Sequence, residues 1–317
     1  MINELMATAI PPLTAEEQIE FGNQEGQPWP TDRTSLVVAS YNIRYARGPH
    51  LISGGVLRKT GLLTARRRSE VVSRNIDIAA EALTAGKLMP PFDVLALQEA
   101  DKRTVRAGGI HVAREFAEKL KLPWIHVPAG LPRGIKPIQR EWWLDFEEPI
   151  QLHDEGDTGV ALISRHPVND VIRMDLPWSK CPWRPRLAMA ATLPLTKRAI
   201  RVINVHVDPH AASGGQLEQL EVLATHAENW NGPAVIVGDF NTLSKQKCLD
   251  TRQFMEARGY TTPFPTGTPT WRGSGIRLHA DWIFTRDVTV KRWGVARPLN
   301  SSDHWPVWVE IEVSDKL

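Results

Sequence analysis

The chain has 317 residues, a formal net charge of +2, and 42% hydrophobic and 23% charged residues. That suits one large α/β domain or two small ones, and the charge is too small to predict a polyanion partner. No apolar run is long enough to span a bilayer, and Cys181 and Cys248 form neither a metal motif nor a disulfide framework.

Residues 1–33 read as a mostly irregular tail. They lack a basic start and carry Glu16, Glu17 and Glu20 where a secretory signal needs an apolar core, so a cytoplasmic protein is expected. Residues 35–43, SLVVASYNI, predict a strand ending in Asn42, followed by a loop over 48–61. Val72, Ile76, Ala79 and Leu83 form one apolar stripe, which predicts a helix over 66–83. Pro90 and Pro91 then stop the chain before a buried strand, 93–98, that delivers Glu99 to its end. A helix is predicted over 110–120, with Ala113, Phe116, Ala117 and Leu120 inward. Residues 130–157 break the rhythm with three prolines, the pair Trp142-Trp143, and seven acids but no Lys or Arg after residue 140. This stretch reads as a long surface insert of the kind that often carries function.

Strands are predicted at 159–164, 187–193 and 200–207, with a Trp- and Pro-rich loop at 177–185 between the first two. Alternation along 200–207 puts Val202, Asn204, His206 and Asp208 on one side. A helix follows over 216–229, with Leu217, Leu220, Ala224 and Ala227 inward. The stretch 234–242, AVIVGDFNT, reads as a buried strand with Asp239 and Asn241 at its mouth and Gly238 allowing close approach. A short helix over 252–258 and strands at 280–285, 288–292 and 306–313 complete the chain. Strands outnumber helices and often follow one another directly, which favours mixed or antiparallel sheets with helices outside. No repeat or composition break divides residues 34–317, which read as one catalytic domain.

The polar residues gather at strand ends: Asn42, Glu99, His206, Asp239, Asn241 and Asp281. A carboxylate and an amide at a strand mouth suit a hard metal ion and a phosphate oxygen. An Asp-Asn turn bonding its own backbone is the competing reading of GDFN. Glu99 follows a buried strand, where a carboxylate is costly unless solvated, paired or on a metal. His206 reads equally as a structural, hydrogen-bonded histidine. Asp281 sits inside an apolar strand and needs a partner. His304, in SDHWP, can pair with Asp281 or Asp303, and such a pair fixes the ring tautomer and supports proton transfer.

In this order, Asn42, LQE at 97–99, GVALISR at 159–165, INVHVD at 203–208, GDFN at 238–241, HADWIF at 279–284 and SDHWP at 302–306 resemble the endonuclease/exonuclease/phosphatase superfamily. The resemblance runs over about residues 35–313 and implies a four-layer α/β/β/α sandwich of two mixed, mostly antiparallel sheets. It implies a divalent-metal phosphoesterase, active with Mg²⁺ or Mn²⁺ on a phosphodiester or phosphomonoester. Glu99 would be the main metal carboxylate, assisted by Asn42. Asp239 and Asn241 would position the attacking water and bind the phosphate or a second metal. His206 would bind or protonate a phosphate oxygen, Asp281 would orient His304, and Asp303 would lie at the metal or the ring. Arg165 and Arg186, with Arg184, are candidate phosphate contacts. Ala280 departs from the usual Ile or Leu, and Tyr41, Tyr45 and Tyr260 offer no obvious equivalent of the tyrosine of the abasic-site repair branch.

Substrate choice falls to the loops. The acids of 141–157 would oppose a long polyanion, while Trp142, Trp143, Trp178 and Trp183 could form an interfacial patch, so a small or lipid-linked phosphoester is expected. Arg133 and Lys136 keep a nuclease acting on DNA or RNA as an alternative, and a non-catalytic binding module retaining the fold is a second. The protein is expected to work as a monomer.

Overall fold

A computed structural model describes residues 19–23, 26–28, 30, 34–49, 65–131, 150, 154–177, 185–196, 198–273 and 275–313. The acids at 141–149, Arg133, Lys136, Trp142, Trp143, Trp178, Cys181, Trp183 and Arg184 lie outside these residues, as does most of the 48–61 loop.

In the first half of the chain the elements are β1 (Glu20–Gly22), β2 (Ser35–Asn42), α1 (Ala65–Thr84), β3 (Val94–Gln98), α2 (Val112–Leu120), β4 (Trp124–Pro128), β5 (Gly159–Ser164) and β6 (Asn169–Leu176). The second half holds β7 (Arg186–Pro194), β8 (Ala199–His206), α3 (Ser213–Glu228), β9 (Ala234–Asp239), α4 (Lys245–Glu256), β10 (Trp271–Gly273), β11 (Ile276–Leu278), β12 (Asp281–Arg286), β13 (Thr289–Val295) and β14 (Val307–Glu312). One sheet has seven strands in the order β1-β4-β5-β3-β2-β14-β13, the other five in the order β12-β9-β8-β7-β6, and β10-β11 is a separate hairpin. The pairs β2–β3 and β8–β9 are parallel and the rest antiparallel.

Three apolar layers account for the stacking. Val72, Ile76, Ala79, Leu83, Phe116 and Ala117 of α1 and α2 pack on the outer face of the larger sheet, against Val37, Ala39, Leu95 and Leu97. Leu36, Val38, Val94 and Ala96 of that sheet meet Met189, Ala191, Val202, Val235 and Val237 of the smaller one. Leu220, Leu223 and Ala227 of α3 and Cys248 and Met255 of α4 cover its outer face at Ala188, Ile203, Val205 and Ile236. The architecture is therefore the expected α/β/β/α sandwich. Alternation along each strand sends successive side chains to opposite layers, so the central strands of both large sheets are buried on both faces.

Five strands were missed. β1 lies in the stretch read as irregular and pairs with β4 at the edge of the larger sheet. β4 is bounded by Pro123 and ends at Pro128, and both sides of its strand are buried, so no alternation marks it. β6 alternates Ile172, Met174 and Leu176 with Arg173 and Asp175, a readable edge-strand signal that the reading passed over. β10 and β11 are three-residue strands, too short for periodicity. The helix predicted over 252–258 starts earlier, at Lys245, because the Ser244 hydroxyl accepts from Lys247 N and caps it.

Beneath the site end the two sheets are joined by a polar link. Asn204 Nδ2 on β8 donates to Leu97 O and Ala161 O of the other sheet, both at 2.9 Å, and its Oδ1 accepts from Gln98 Nε2 at 2.7 Å. All three groups are buried, so Asn204→Leu strands two carbonyls and an amide N–H. We expect unfolding free energy to fall by about 3 kcal/mol or more in urea titration, each stranded group costing about 1–3 kcal/mol. A loss under about 1 kcal/mol would show that the link is not needed.

Candidate active site

The strand registers bring the predicted polar residues to one edge of the sandwich. Asn42 closes β2 beside Gln98 of the parallel β3, so Glu99 emerges next to it. His206 closes β8 in register with Asp239 at the end of β9, and Asp281 opens β12 opposite the same Asp239. Gly238 permits this convergence: its φ is +149°, and a Cβ there would lie 2.0 Å from Val205 O of the neighbouring strand. Only glycine fits so close a backbone approach.

Asp239 Oδ2 is the hub. It accepts from Asn42 Nδ2 at 2.8 Å and lies 3.6 Å from His206 Nε2 and 3.8 Å from His304 Nε2. Its other oxygen, Oδ1, accepts from Asn241 N at 2.9 Å. One oxygen therefore shapes the GDFN turn and the other faces the histidines. Asn241 has a φ of +49° and its Nδ2 donates to Val207 O at 2.9 Å, which fixes the amide. Asn42 Nδ2 also reaches Glu99 Oε1 at 3.3 Å, while Asn42 Oδ1 accepts from Arg44 N. Asn42 thus braces two carboxylates with its amide nitrogen, and its oxygen keeps one lone pair for a metal.

His304 pairs with Asp281, with Nδ1 2.9 Å from Oδ2 and 3.1 Å from Oδ1. Burial alone would lower the His304 pKa, but Asp281 and Asp239 outweigh it and raise it to about 10. The Nε2 of the ring is turned toward Asp239. Burial pushes Asp239 up to about 7, against the pull of His304, and neighbouring Asp281 adds to the rise. Ligand atoms of Asp239, Asp281 and His304 lie within 4.8 Å of one another.

Glu99 has a φ of +51°, a left-handed conformation uncommon outside glycine, and its Oε2 is buried without a hydrogen-bond partner. Its Oε1 lies 3.8 Å from His206 Nε2. Arg186, at the start of β7, brings Nη1 to 3.1 Å from His206 Nδ1, and its Nε and Nη2 are buried and unpartnered. Orphaned atoms of opposite charge thus flank His206.

Two predicted site residues are placed differently from expectation. Arg165 follows β5 at the far end of the sheet, where its N donates to Asp93 O and its Nε to Phe92 O. β3 separates that end from Glu99 by five strand residues, about 17 Å, so Arg165 is not a phosphate contact at this site. Asp303 is not beside the His304 ring nitrogens. Its Oδ2 takes Trp271 Nε1 at 3.0 Å and Arg44 Nη1 at 3.3 Å, and its Oδ1 lies 3.2 Å from Ser302 Oγ. Asp303 thus holds Arg44 and the Trp271 indole through Oδ2. Asp208, which shares the His206 face, accepts from His210 N and organises the loop before α3.

Arg44 itself was missed. Arg44, Tyr45 and Ala46 are consecutive left-handed residues, with φ of +47°, +40° and +56°. Such conformations cost about 1–3 kcal/mol each and persist where the surroundings over-determine them. Here Tyr45 N donates to Glu99 O, Asn75 Nδ2 donates to Ala46 O, and the Arg106 guanidinium lies 4.1 Å from the centre of the Tyr45 ring. The turn swings a buried arginine back to Asp303. An arginine just after a strand otherwise reads as surface, so no local signal marked it.

A second acid–histidine group, Glu20, His111 and His126, sits at the β1–β4 edge. Glu20 binds Lys102 Nζ at 2.6 Å and His111 Nε2 at 2.8 Å, while His111 Nδ1 accepts from Arg114 N and caps α2. That tautomer places the His111 proton on Nε2, so the group reads as a hydrogen-bonded pin for β1.

Fold and site together define a four-layer α/β/β/α protein with a carboxylate–histidine cluster where the strands of both sheets converge. The chain belongs to the Endonuclease/Exonuclease/phosphatase family, whose sequence model matches residues 39–304. It is similar to the UPF0294 protein plu0699 of Photorhabdus laumondii, 27% identical over 217 residues that cover 63% of this chain and 76% of that one. Among solved structures it resembles an endonuclease/exonuclease/phosphatase from Beutenbergia cavernae, at 17% identity and TM-score 0.58, covering 89% of this chain and 72% of that one. It also resembles a mannosyl-6-phosphatase from Bacteroides thetaiotaomicron, at 18% identity and TM-score 0.52, covering 87% and 99%. At these identities the structural likeness shows the fold alone. Among the described residues no helix is long and apolar enough to cross a membrane.

Proposed function

We propose that the protein is a divalent-metal-dependent phosphoesterase that hydrolyses a phosphodiester or phosphomonoester by directed attack of water. The observation that carries this reading is the buried, unpartnered Glu99 Oε2 beside Asn42, Asp239 and His206. A bare carboxylate oxygen is expensive inside a protein, and a hard cation satisfies it. The oxygen-rich donors, Glu99 with the Asn42 amide, fit Mg²⁺ or Mn²⁺ better than a zinc-type histidine set. Bound there, the ion supplies charge neutralisation at the phosphoryl and leaving oxygens.

The chain's own groups do the rest. Asp239, oriented by the Asn42 and Asn241 N–H groups, accepts a proton from the attacking water at Oδ2. His304, held by Asp281, presents Nε2–H to oxygens that gain charge in the transition state. Arg186 Nε and Nη2, with His206, bind the non-bridging phosphate oxygens. The proposed substrate is a small or lipid-linked phosphoester, on Glu141, Asp145, Glu147 and Glu148 of the sequence, since Asp154 and Asp157 are buried on backbone N–H groups, with nucleic acid as the competing class.

A screen of lipid, sugar, inositol and nucleic-acid phosphoesters with Mg²⁺ or Mn²⁺ tests this. Activity should vanish in excess chelator and return when the ion is restored. Glu99→Gln should weaken Mn²⁺ binding in calorimetric titration while the fold is retained. Full activity in excess chelator would sink the metal mechanism.

A further inference from the structure

Beside the site lies a cavity of about 550 Å³, lined by Pro49, Arg272, Gly273, Ile276, Arg277 and Asn300. It is coupled to the site through the β10–β11 hairpin. Arg272 N donates to Asp303 O at 2.9 Å, and the preceding Trp271 donates from Nε1 to Asp303 Oδ2. The hairpin that lines the cavity is therefore bonded to the residue that precedes His304.

Its charge is one-sided. The guanidinium carbons of Arg272, Arg297 and Arg277 lie 5.0, 5.3 and 5.9 Å from the centre of the Trp305 ring. Trp305 is buried and bonded through its backbone N to Thr270 O, so the platform is fixed. Among the described residues none of the three arginines has a carboxylate partner. Arg272 Nη2 donates only to neutral oxygens, Asn300 Oδ1 at 2.6 Å and Leu299 O at 3.3 Å. Arg277 and Arg297 are exposed. Three like charges around one aromatic ring repel one another, and the ring offsets only part of that. Stacking leaves the N–H edges free, the geometry that suits bidentate binding of phosphate oxygens.

We propose that Arg272, Arg277 and Arg297 form a subsite for a second phosphoryl group of the substrate, next to the one that is hydrolysed. This rests on the phosphoesterase reading and narrows it to substrates carrying at least two phosphates. The bound dianion offsets the repulsion among the guanidiniums and fixes the substrate by a group that does not react. That position improves binding of the correct substrate without contributing to bond cleavage.

The test compares two esters with the same scissile bond: thymidine 5′-(4-nitrophenyl phosphate) and its 3′-phosphorylated form. The second phosphate should lower KM by about tenfold or more, equal to about 1.4 kcal/mol. The double substitution Arg277→Gln and Arg297→Gln should bring the two KM values together. In parallel, inorganic pyrophosphate is titrated calorimetrically into the protein in EDTA. Binding should be weakened more by the double substitution than by Arg186→Ala. Equal KM values for the two esters in the unsubstituted protein, or pyrophosphate binding lost in Arg186→Ala and kept in the double variant, would overturn the subsite. If neither ester is hydrolysed under any metal condition, the phosphoesterase reading is left to the substrate screen, and the titration alone decides whether the arginines bind phosphate. Internal phosphates of a nucleic acid and small bisphosphates are separated by repeating the comparison with TpT, pTpT and a longer oligonucleotide. Gain at pTpT with no further gain from length assigns the subsite to a single phosphate, and gain only with length assigns it to a polynucleotide backbone and overturns the single-group form.

Discussion

Asp239→Asn is expected to lower kcat by about 10²–10⁴-fold, the range for a positioned proton-transfer group. The substitution changes almost no volume, so the effect is chemical. Oδ2 receives Asn42 Nδ2 and faces both histidines, and it is the carboxylate oxygen best placed to take a proton from water between them. An amide nitrogen in its place would oppose the Asn42 N–H and accept nothing. Oδ1, which holds the Asn241 turn, survives as the amide oxygen, so the loop should keep its shape. Steady-state kinetics with the best substrate from the screen, beside a thermal melt, make the check. A folded variant within tenfold of the unsubstituted enzyme would remove Asp239 from the proton transfer.

His304→Ala is expected to lower both activity and stability. The loss in kcat should be on the order of 10²-fold or more. Stability should fall by roughly 3–5 kcal/mol, because Asp281 is fully buried and would lose its counter-charge. Asp281→Asn should resemble His304→Ala in kcat, and the double variant should be little worse than either single one. The double variant should also regain stability relative to His304→Ala, since the uncompensated charge is gone. Urea titration and kcat on the four proteins complete the cycle. Losses that multiply, with no recovery of stability, would show that the two side chains do not act as a pair.

Much of the site was legible because its residues break a local rule. Glu99, Asp239 and Asp281 are carboxylates joined to apolar strands, and burial of such groups demands a partner. The helical stripes were equally readable, since Val72, Ile76, Ala79 and Leu83 repeat at the helix period and all face one layer. The GDFN turn shows the limit of this reasoning. Sequence offered a structural and a functional reading as rivals, and in the structure Oδ1 of Asp239 holds the turn while Oδ2 faces the two histidines.

Sequence by itself determined which residues must end up at strand mouths, because that follows from hydrophobic runs and the polar residues that close them. Only the tertiary structure decided which of them face one another. His304 could take Asp281 or Asp303, and the β9–β12 register settled it by setting Asp281 beside Asp239 while Trp271 and Arg44 occupied Asp303. Arg165 and Arg186 look alike in sequence, yet antiparallel pairing sends the first to the far end of its sheet and the second to His206. Arg44 and the arginines around Trp305 depend on a left-handed turn and a short hairpin, which carry no periodicity. Register and sheet stacking arise from contacts between residues far apart in the chain, such as Ser302 Oγ on Asn42 O, 260 positions away. No window of sequence contains both partners of such a contact, and that is why strand ends were readable and their pairing was not.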